Sequence, residues 1–291
     1  MRILITGATG FLGRVLLPMA IEKIPDATFM CCVRNETDAK AFKNVPKIFC
    51  SVGVDMALIQ QFNPEVVIHL AAYNTAQESL SDIDALVESN IHYGLQLLYA
   101  LRKTSLRLFI NTGSFSQYSQ SGDAYLYSAS KSAFEIFLKY FSREYQWKYI
   151  NVVPYSIYGG EKTIKRILDY IIESIDATTP VDMSPGKQCL DFIHVYDVAS
   201  FYISVIENIE LMTLGDIFHI GTGKATSIRE LATAVEEVSG RKCNINWGGR
   251  AYRSNDIMYA CAPRQDKRDR IWQPQFSLMS GIAEYMKENR L

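Results

Sequence analysis

The segment YLYSASK, Tyr125 to Lys131, opens a long apolar-periodic run, SAFEIFLKYF. Residues four apart on a helix share a face, so Tyr127 and Lys131 point into one site, whereas Tyr125 has Ala129 at that spacing. A tyrosine titrates near pH 10, and a neighbouring ammonium stabilises its phenolate and lowers that value. The pair therefore reads as a tuned acid/base. Y-x-x-x-K also arises as a plain surface helix pair. What raises it here is the preceding strand, FINTGSFSQY, which brings the hydroxyls of Thr112, Ser114 and Ser116 to the carboxyl end of a sheet, where open α/β folds bind ligands.

A second constellation lies at the start of the chain. LITGATGFLGRVLL puts Gly7, Gly10 and Gly13 after a strand and at the opening of a helix. Glycines there let the backbone turn sharply and approach a pyrophosphate, whose charge sits on the helix N-terminus. Strand before and helix after is the context that separates a dinucleotide site from a tight turn. The second strand ends CCVRNE, so Arg34 stands where an acidic side chain would bond the adenine ribose of NAD. An arginine there accommodates a 2′-phosphate and points to NADP, with NAD as the alternative; otherwise it is a solvated strand-end residue.

These groups need a sheet to carry them. RILIT (2–6), ATFMCCV (27–33), KIFCSV (47–52), VVIHLAA (66–72), RLFINTG (107–113) and YINVVPY (149–155) are nearly continuous apolar runs, as strands buried on both faces are. Helical stretches begin near Leu12, Ala57, Ser81 and Tyr127, and LSDIDALVESNIHYGLQLLYALRK is the longest. Beyond about residue 160 come a helix TIKRILDYIIESI, an irregular DATTPVDMSPGKQCLDFIHV, a helix SIRELATAVEEVSG, a strand CNINW and a terminal helix SLMSGIAEYMKEN. The predicted class is α/β: a Rossmann-type doubly wound parallel sheet over 1–160 and about 190–222, with a smaller, loop-rich C-terminal substrate-binding part over 161–189 and 223–291.

Composition narrows the partners. The 291 residues are 48% hydrophobic and 21% charged, and thirty Lys and Arg against thirty-one Asp and Glu leave a net charge of -1. No run of like charge tracks a nucleic acid or an acidic membrane, so a small molecule is the expected ligand. No stretch approaches the roughly 18 to 20 apolar residues of a membrane span, and the cytoplasm is the expected address. Cys31, Cys32, Cys50, Cys189, Cys243 and Cys261 show no CxxC spacing and read as reduced core residues. The histidines lack metal spacing, and no metal is expected.

The spacing GxxGxxG resembles the extended branch of the short-chain dehydrogenase/reductase family. TGATGFLG, VIHLAA, Asn90 in ESNIHYG, NTGSF, YSASK, IYGG, LDFIHVYDV and FHIGTGKATSIRELA together resemble its nucleotide-sugar members over almost the whole chain. The strongest likeness is to 4-reductases of CDP- or dTDP-linked 4-keto-6-deoxyhexoses, of the abequose and paratose synthase type, which serve deoxysugar and lipopolysaccharide O-antigen biosynthesis. The resemblance implies Tyr127, Lys131 and Ser114 as catalytic residues. Thr112 and Ser116 compete, and Ser114 ranks first because NTGSF is similar to the NTDTF of CDP-sugar reductases.

The same resemblance implies cofactor contacts from Gly7, Thr9, Gly10, Phe11, Leu12, Gly13, Arg34, Leu70, Ala71, Ala72, Asn90, Lys131 and Tyr155. It implies substrate contacts from Thr112, Ser114, Tyr127, Gln188, Arg250 and Arg253. Arg253 is the first choice to grip a diphosphate and Arg250 the second, since a guanidinium matches phosphate oxygens bidentately. Leu190 and Val153 stand where the family often has arginine, while His194 and Asp197 read as buried structural residues. A homodimer is implied, built from 81–104 and 127–146, with Leu97, Phe134 and Phe137 as candidate contacts.

Two reactions fit. The first is an NADPH-dependent reductase of a nucleotide-linked 4-keto-6-deoxy sugar. An NAD-dependent 4-epimerase shares the triad and is disfavoured by Arg34. A 4,6-dehydratase would carry an Asp-Glu pair after the strand-end hydroxyl, where Phe115 and Ser116 follow Ser114. A non-catalytic dinucleotide sensor would usually have lost the tyrosine or the lysine.

Overall fold

The computed structural model describes residues 1–40, 42, 48–75, 77–119, 125–161 and 165–290. Lys47 of the third expected strand and Thr163 and Ile164 of the expected helix lie outside the described residues. In chain order the elements are β1 (Arg2–Thr6), α1 (Phe11–Lys23), β2 (Thr28–Val33), α2 (Glu36–Lys40), β3 (Ile48–Val52), α3 (Met56–Phe62) and β4 (Val66–His69). Then come α4 (Leu80–Val87), α5 (Tyr93–Leu101), β5 (Leu108–Thr112), α6 (Leu126–Tyr145), β6 (Lys148–Pro154), β7 (Ser156–Tyr158) and α7 (Ile167–Ser174). The rest are β8 (Val181–Met183), β9 (Cys189–His194), α8 (Val195–Glu207), β10 (Asp216–Ile220), β11 (Ala225–Ser227) and α9 (Ile228–Ser239). They are followed by β12 (Ile245–Trp247), β13 (Tyr259–Ala260), α10 (Asp266–Ile271) and α11 (Leu278–Glu288). Two compact units divide the chain, Met1–Val153 with Ala199–Phe218 and Pro154–Val198 with His219–Leu291.

The first unit is the expected Rossmann-type α/β sheet, with strand order β10-β6-β5-β4-β1-β2-β3. Its strands pair in parallel, Ile5 lying opposite Cys31 on one side and Ile68 on the other. The order reverses between β1 and β4, so the glycine turn and the end of VIHLAA meet at the switch point where such sheets bind ligands. The apolar runs are continuous because both faces are covered: Leu4, Met30, Val67 and Phe109 pack with Leu97, Leu101, Phe134 and Leu138 of α5 and α6. Gly94 lets α5 pass the Phe134 ring, since a Cβ there would stand 2.3 Å from Cε2. Leu97 and Phe134 are 0% and 1% exposed, so these two of the expected dimer contacts belong to the core instead. The longest expected helix is interrupted by a π turn, Glu88–His92, with buried Asn90 at its centre.

The second unit corrects the expected irregular stretch. Residues 181–194 include β8 and β9, and their partners are remote: β8 pairs with β12, and β9 with β7, β11 and β13. Buried Asp191 gathers these ends, accepting hydrogen bonds from Thr222 N (2.8 Å), Thr222 Oγ1 (2.7 Å), Gly223 N (2.9 Å) and Ala262 N (3.1 Å). A carboxylate taken out of water needs such donors. Tyr158, Ile171, Leu231, Val235, Ile282 and Tyr285 form the core of this unit. All six cysteines are free, but only Cys31 and Cys32 are fully buried; the other four are partly exposed. Among the described residues no helix is long and apolar enough to cross a membrane, and no group of side chains could hold a metal ion.

Candidate active site

The helix α6 opens on a reciprocal cap, in which Tyr125 N donates to Ser128 Oγ (3.0 Å) and Ser128 Oγ donates to Tyr125 O (2.8 Å). Its first turn therefore starts at a fixed phase, which sets Tyr127 and Lys131 on one face. Lys131 is 3% exposed. Its Nζ stands 5.8 Å from the centre of the Tyr127 ring and donates to the Thr112 carbonyl at 3.0 Å. Burial pushes the Tyr127 pKa up to about 12 and the Lys131 pKa down to about 8. The expected lowering at Tyr127 is thus reversed, because desolvation opposes ionisation of the phenol.

The three hydroxyls have different surroundings. Thr112, at the end of β5, shares a 2.7 Å hydrogen bond with the Tyr202 hydroxyl. Ser114 shares one with Ser116 Oγ at 2.8 Å, and its N–H donates to Gln117 Oε1 at 2.8 Å. Gln117 Nε2 in turn donates to Ser132 Oγ on α6 at 3.3 Å, tying the Ser114 segment to the helix that carries Tyr127 and Lys131. Ser116 is buried. Of the three residues, Thr112 alone bonds Lys131 directly, through its carbonyl.

At the switch point the backbone is exposed where a dinucleotide would need it. Gly7 has φ +73°, and a Cβ on it would come 2.7 Å from Ala71 N; one on Gly13 would come 2.2 Å from Gly7 O. These two glycines set the turn against the end of β4 and against α1. Gly10, the exposed N-cap of α1, makes no side-chain cap, so no side chain closes the N-terminus of a 13-residue helix and the residue at its mouth has no Cβ. That cradle fits a pyrophosphate. Thr9, Phe11 and Leu12 belong to the same turn, and Leu70 and Ala71 are fastened to it: Leu70 N donates to Thr6 O and Ala71 N to Thr6 Oγ1, both at 3.2 Å. Ala72 follows, exposed. Asn90 accepts from Tyr73 N (2.7 Å) and donates to Tyr73 O and Ser130 Oγ (both 2.9 Å), joining the strand-end loop to α6. Arg34, just past β2, has an 86% exposed side chain whose Nε lies 3.5 Å from Asp38.

The remaining candidates belong to the second unit. Tyr155 OH lies 3.3 Å from His219 Nδ1. Gln188 Nε2 donates to Ser184 Oγ at 3.2 Å. Arg250 N donates to Met183 O at 3.1 Å and Arg253 N to Asp256 Oδ2 at 2.9 Å, while both side chains are exposed. His194 and Asp197 are buried, and Asp197 accepts from Gln275 N and Phe276 N at 2.8 and 3.0 Å.

Sequence reasoning missed Tyr202, Gln117 and His69. His69 shares a 2.8 Å hydrogen bond with Thr6 Oγ1, and burial pushes its pKa down to about 3, so it stays neutral. The signal for it was a lone polar residue inside a strand buried on both faces. Tyr202 gave no such signal, since a tyrosine among apolar helix residues looks like core.

The model of the NAD dependent epimerase/dehydratase family matches residues 3–221. The CDP-abequose synthase of Salmonella typhimurium is 25% identical, over 98% of this chain and 97% of that one. A UDP-glucose 4-epimerase of Mycolicibacterium smegmatis is 26% identical over 98% and 97%. Among solved structures, a variant of the UDP-glucuronic acid 4-epimerase from Bacillus cereus, in complex with a fluorinated UDP-sugar and NAD, has a TM-score of 0.87 at 19% identity, covering 100% of this chain and 99% of that one. A Thermus thermophilus UDP-glucose 4-epimerase in complex with NAD scores 0.81 at 21%, covering 100% and 99%.

Proposed function

The chain belongs to the NAD dependent epimerase/dehydratase family, and on that premise we propose that it is an NADPH-dependent reductase of a nucleotide-linked 4-keto-6-deoxy sugar. The observation that carries this reading is the pairing of partly exposed Tyr127 with buried Lys131, the tyrosine holding its proton. Reduction of a ketone leaves an alkoxide that must receive a proton, and a phenol held neutral at pH 7 is a filled donor. The full-length likeness to CDP-abequose synthases supports the substrate class.

The glycine turn, Leu70 and Ala71 would hold a dinucleotide, whose nicotinamide supplies the hydride. Tyr127 gives its proton to the sugar oxygen as charge develops there. Lys131, anchored by the Thr112 carbonyl, has donors left to stabilise the phenolate that remains and to hold the ribose. Ser114 donates a second hydrogen bond to the same oxygen, with Thr112 as the competing donor. Arg253 and then Arg250 grip the diphosphate, with Gln188 on the nucleotide. Arg34 meets the 2′-phosphate of NADP. Two copies pair through the outer faces of α4 and α6, supported by the exposed Leu80, Val87, Ile136, Phe137 and Tyr140. Light scattering at micromolar protein shows a dimer if this is right, and Ile136→Glu weakens it.

A 4-epimerase is the second reading, favoured by the full-length likeness to a UDP-glucose 4-epimerase. A panel of CDP-, dTDP-, GDP- and UDP-linked 4-keto-6-deoxy sugars with NADPH, run beside the corresponding 4-hydroxy sugars with NAD, decides, with products identified by NMR. Stoichiometric loss of NADPH with formation of a 4-hydroxy sugar is expected. Interconversion of 4-hydroxy epimers with no net change in cofactor overturns the reductase in favour of the epimerase.

A further inference from the structure

We propose that Tyr202 is a positioning residue for the acid/base pair: by holding the Thr112 hydroxyl it keeps the Thr112 carbonyl as the acceptor of the Lys131 ammonium. The proposal rests on the reading of Tyr127 and Lys131 as that pair. Tyr202 lies on the part of α8 that belongs to the first unit, and it is 0% exposed. A phenol is costly to bury unless its hydroxyl is paired, and a phenylalanine, as at the neighbouring Phe201 and Phe218, would fill such a position without that cost. The Tyr202 hydroxyl is paired with Thr112 Oγ1 at 2.7 Å. The carbonyl of the same threonine receives Lys131 Nζ at 3.0 Å, the one hydrogen bond of that ammonium among the described residues.

Thr112 is therefore held at both polar ends. An ammonium has three donors, so a Thr112 hydroxyl released from Tyr202 becomes a rival acceptor beside it. Among the described residues the titratable groups that face Lys131 are Tyr127 on its own helix, His69 at the end of β4 and, through Thr112, Tyr202 on α8. His69 is neutral at any assay pH, and burial keeps Tyr202 protonated, so a change at Thr112 registers on Lys131 and Tyr127.

Tyr202→Phe keeps the ring and removes the contact. In an NMR titration of 15N-lysine protein, with the Lys131 Nζ signal assigned by its loss in Lys131→Met, the midpoint starts at about 8. In Tyr202→Phe it moves upward by roughly half a pH unit, because the freed hydroxyl accepts from the charged form. Adding Thr112→Val removes that hydroxyl and returns the midpoint to about 8. With a verified 4-keto substrate, kcat of Tyr202→Phe falls roughly tenfold at unchanged KM for cofactor. An unmoved midpoint, or a shift that persists in the double variant, overturns the proposal. Should Tyr202→Phe fail to fold, Thr112→Val alone decides: the carbonyl survives, the midpoint stays at about 8, and an upward move overturns the proposal. The titration needs no substrate, so it stands apart from the reductase reading, which fails if the panel shows no turnover.

Discussion

Lys131 and its neighbours in the first unit are enclosed and bonded to one another, whereas the two candidate arginines of the second are held by their backbones and keep their charges in water. Lys131 is buried against Thr112, and Asn90 and Gln117 brace α6 from two sides. Arg250 and Arg253 sit in turns fixed through backbone N–H groups, with exposed guanidinium groups. The difference suits the two roles proposed for these residues. An acid/base pair works through pKa values that burial controls, so its neighbours are fixed within the fold. A guanidinium buried without a partner carries a large desolvation cost, so a group meant for an incoming anion stays solvated until the anion arrives.

The comparison breaks first at Tyr127. Tyr127→Phe removes the proton and keeps the ring, so kcat falls about 10²- to 10⁴-fold with cofactor affinity little changed, measured in single-turnover and binding experiments. Lys131→Met lowers both kcat and cofactor affinity. Arg253→Ala has the opposite signature, raising KM for the nucleotide sugar on the order of 10- to 100-fold with kcat nearly kept; a loss in kcat alone would erase the distinction between the two regions. Arg34→Asp shifts the ratio of NADPH to NADH affinity toward NADH by roughly tenfold, read by fluorescence titration of both cofactors.

Acid tests both units at once. Burial pushes the pKa of His69 in the first unit to about 3 and that of His194 in the second to about 4, from an ordinary 6.5. Between those values and 6.5 the unfolded chain binds protons that the folded chain refuses, so stability is full above pH 6.5 and is lost as pH falls through the folded values. Thermal melting against pH shows a steady fall below about 6.5, and a flat profile down to pH 4 would show that neither imidazole is held neutral. The smallest effect is the control: Tyr125→Phe leaves turnover within a few-fold, and a larger loss than in Tyr127→Phe would transfer the role of proton donor to Tyr125.

Much of this was legible before any coordinates. Continuous apolar runs betray strands buried on both faces, and glycines between a strand and a helix mark the turn, so the parallel sheet and the switch-point residues follow from local pattern. The interruption at Glu88–His92 was not visible, because a π turn has the composition of the helix around it. The short strand β8 is illegible for a related reason: a three-residue strand exists only through its partner, and β12 lies about 60 residues further on.

The sequence by itself determined the fold class, the glycine turn and the helical spacing that pairs Tyr127, and not Tyr125, with Lys131, because each depends on residue types at fixed local spacings. Only the tertiary structure decided that Tyr127 keeps its proton, that Lys131 is anchored by a carbonyl, and that Thr112 is clasped by a tyrosine 90 residues away. Those outcomes turn on desolvation and on which polar atoms meet once water is excluded, and both are properties of the packed chain.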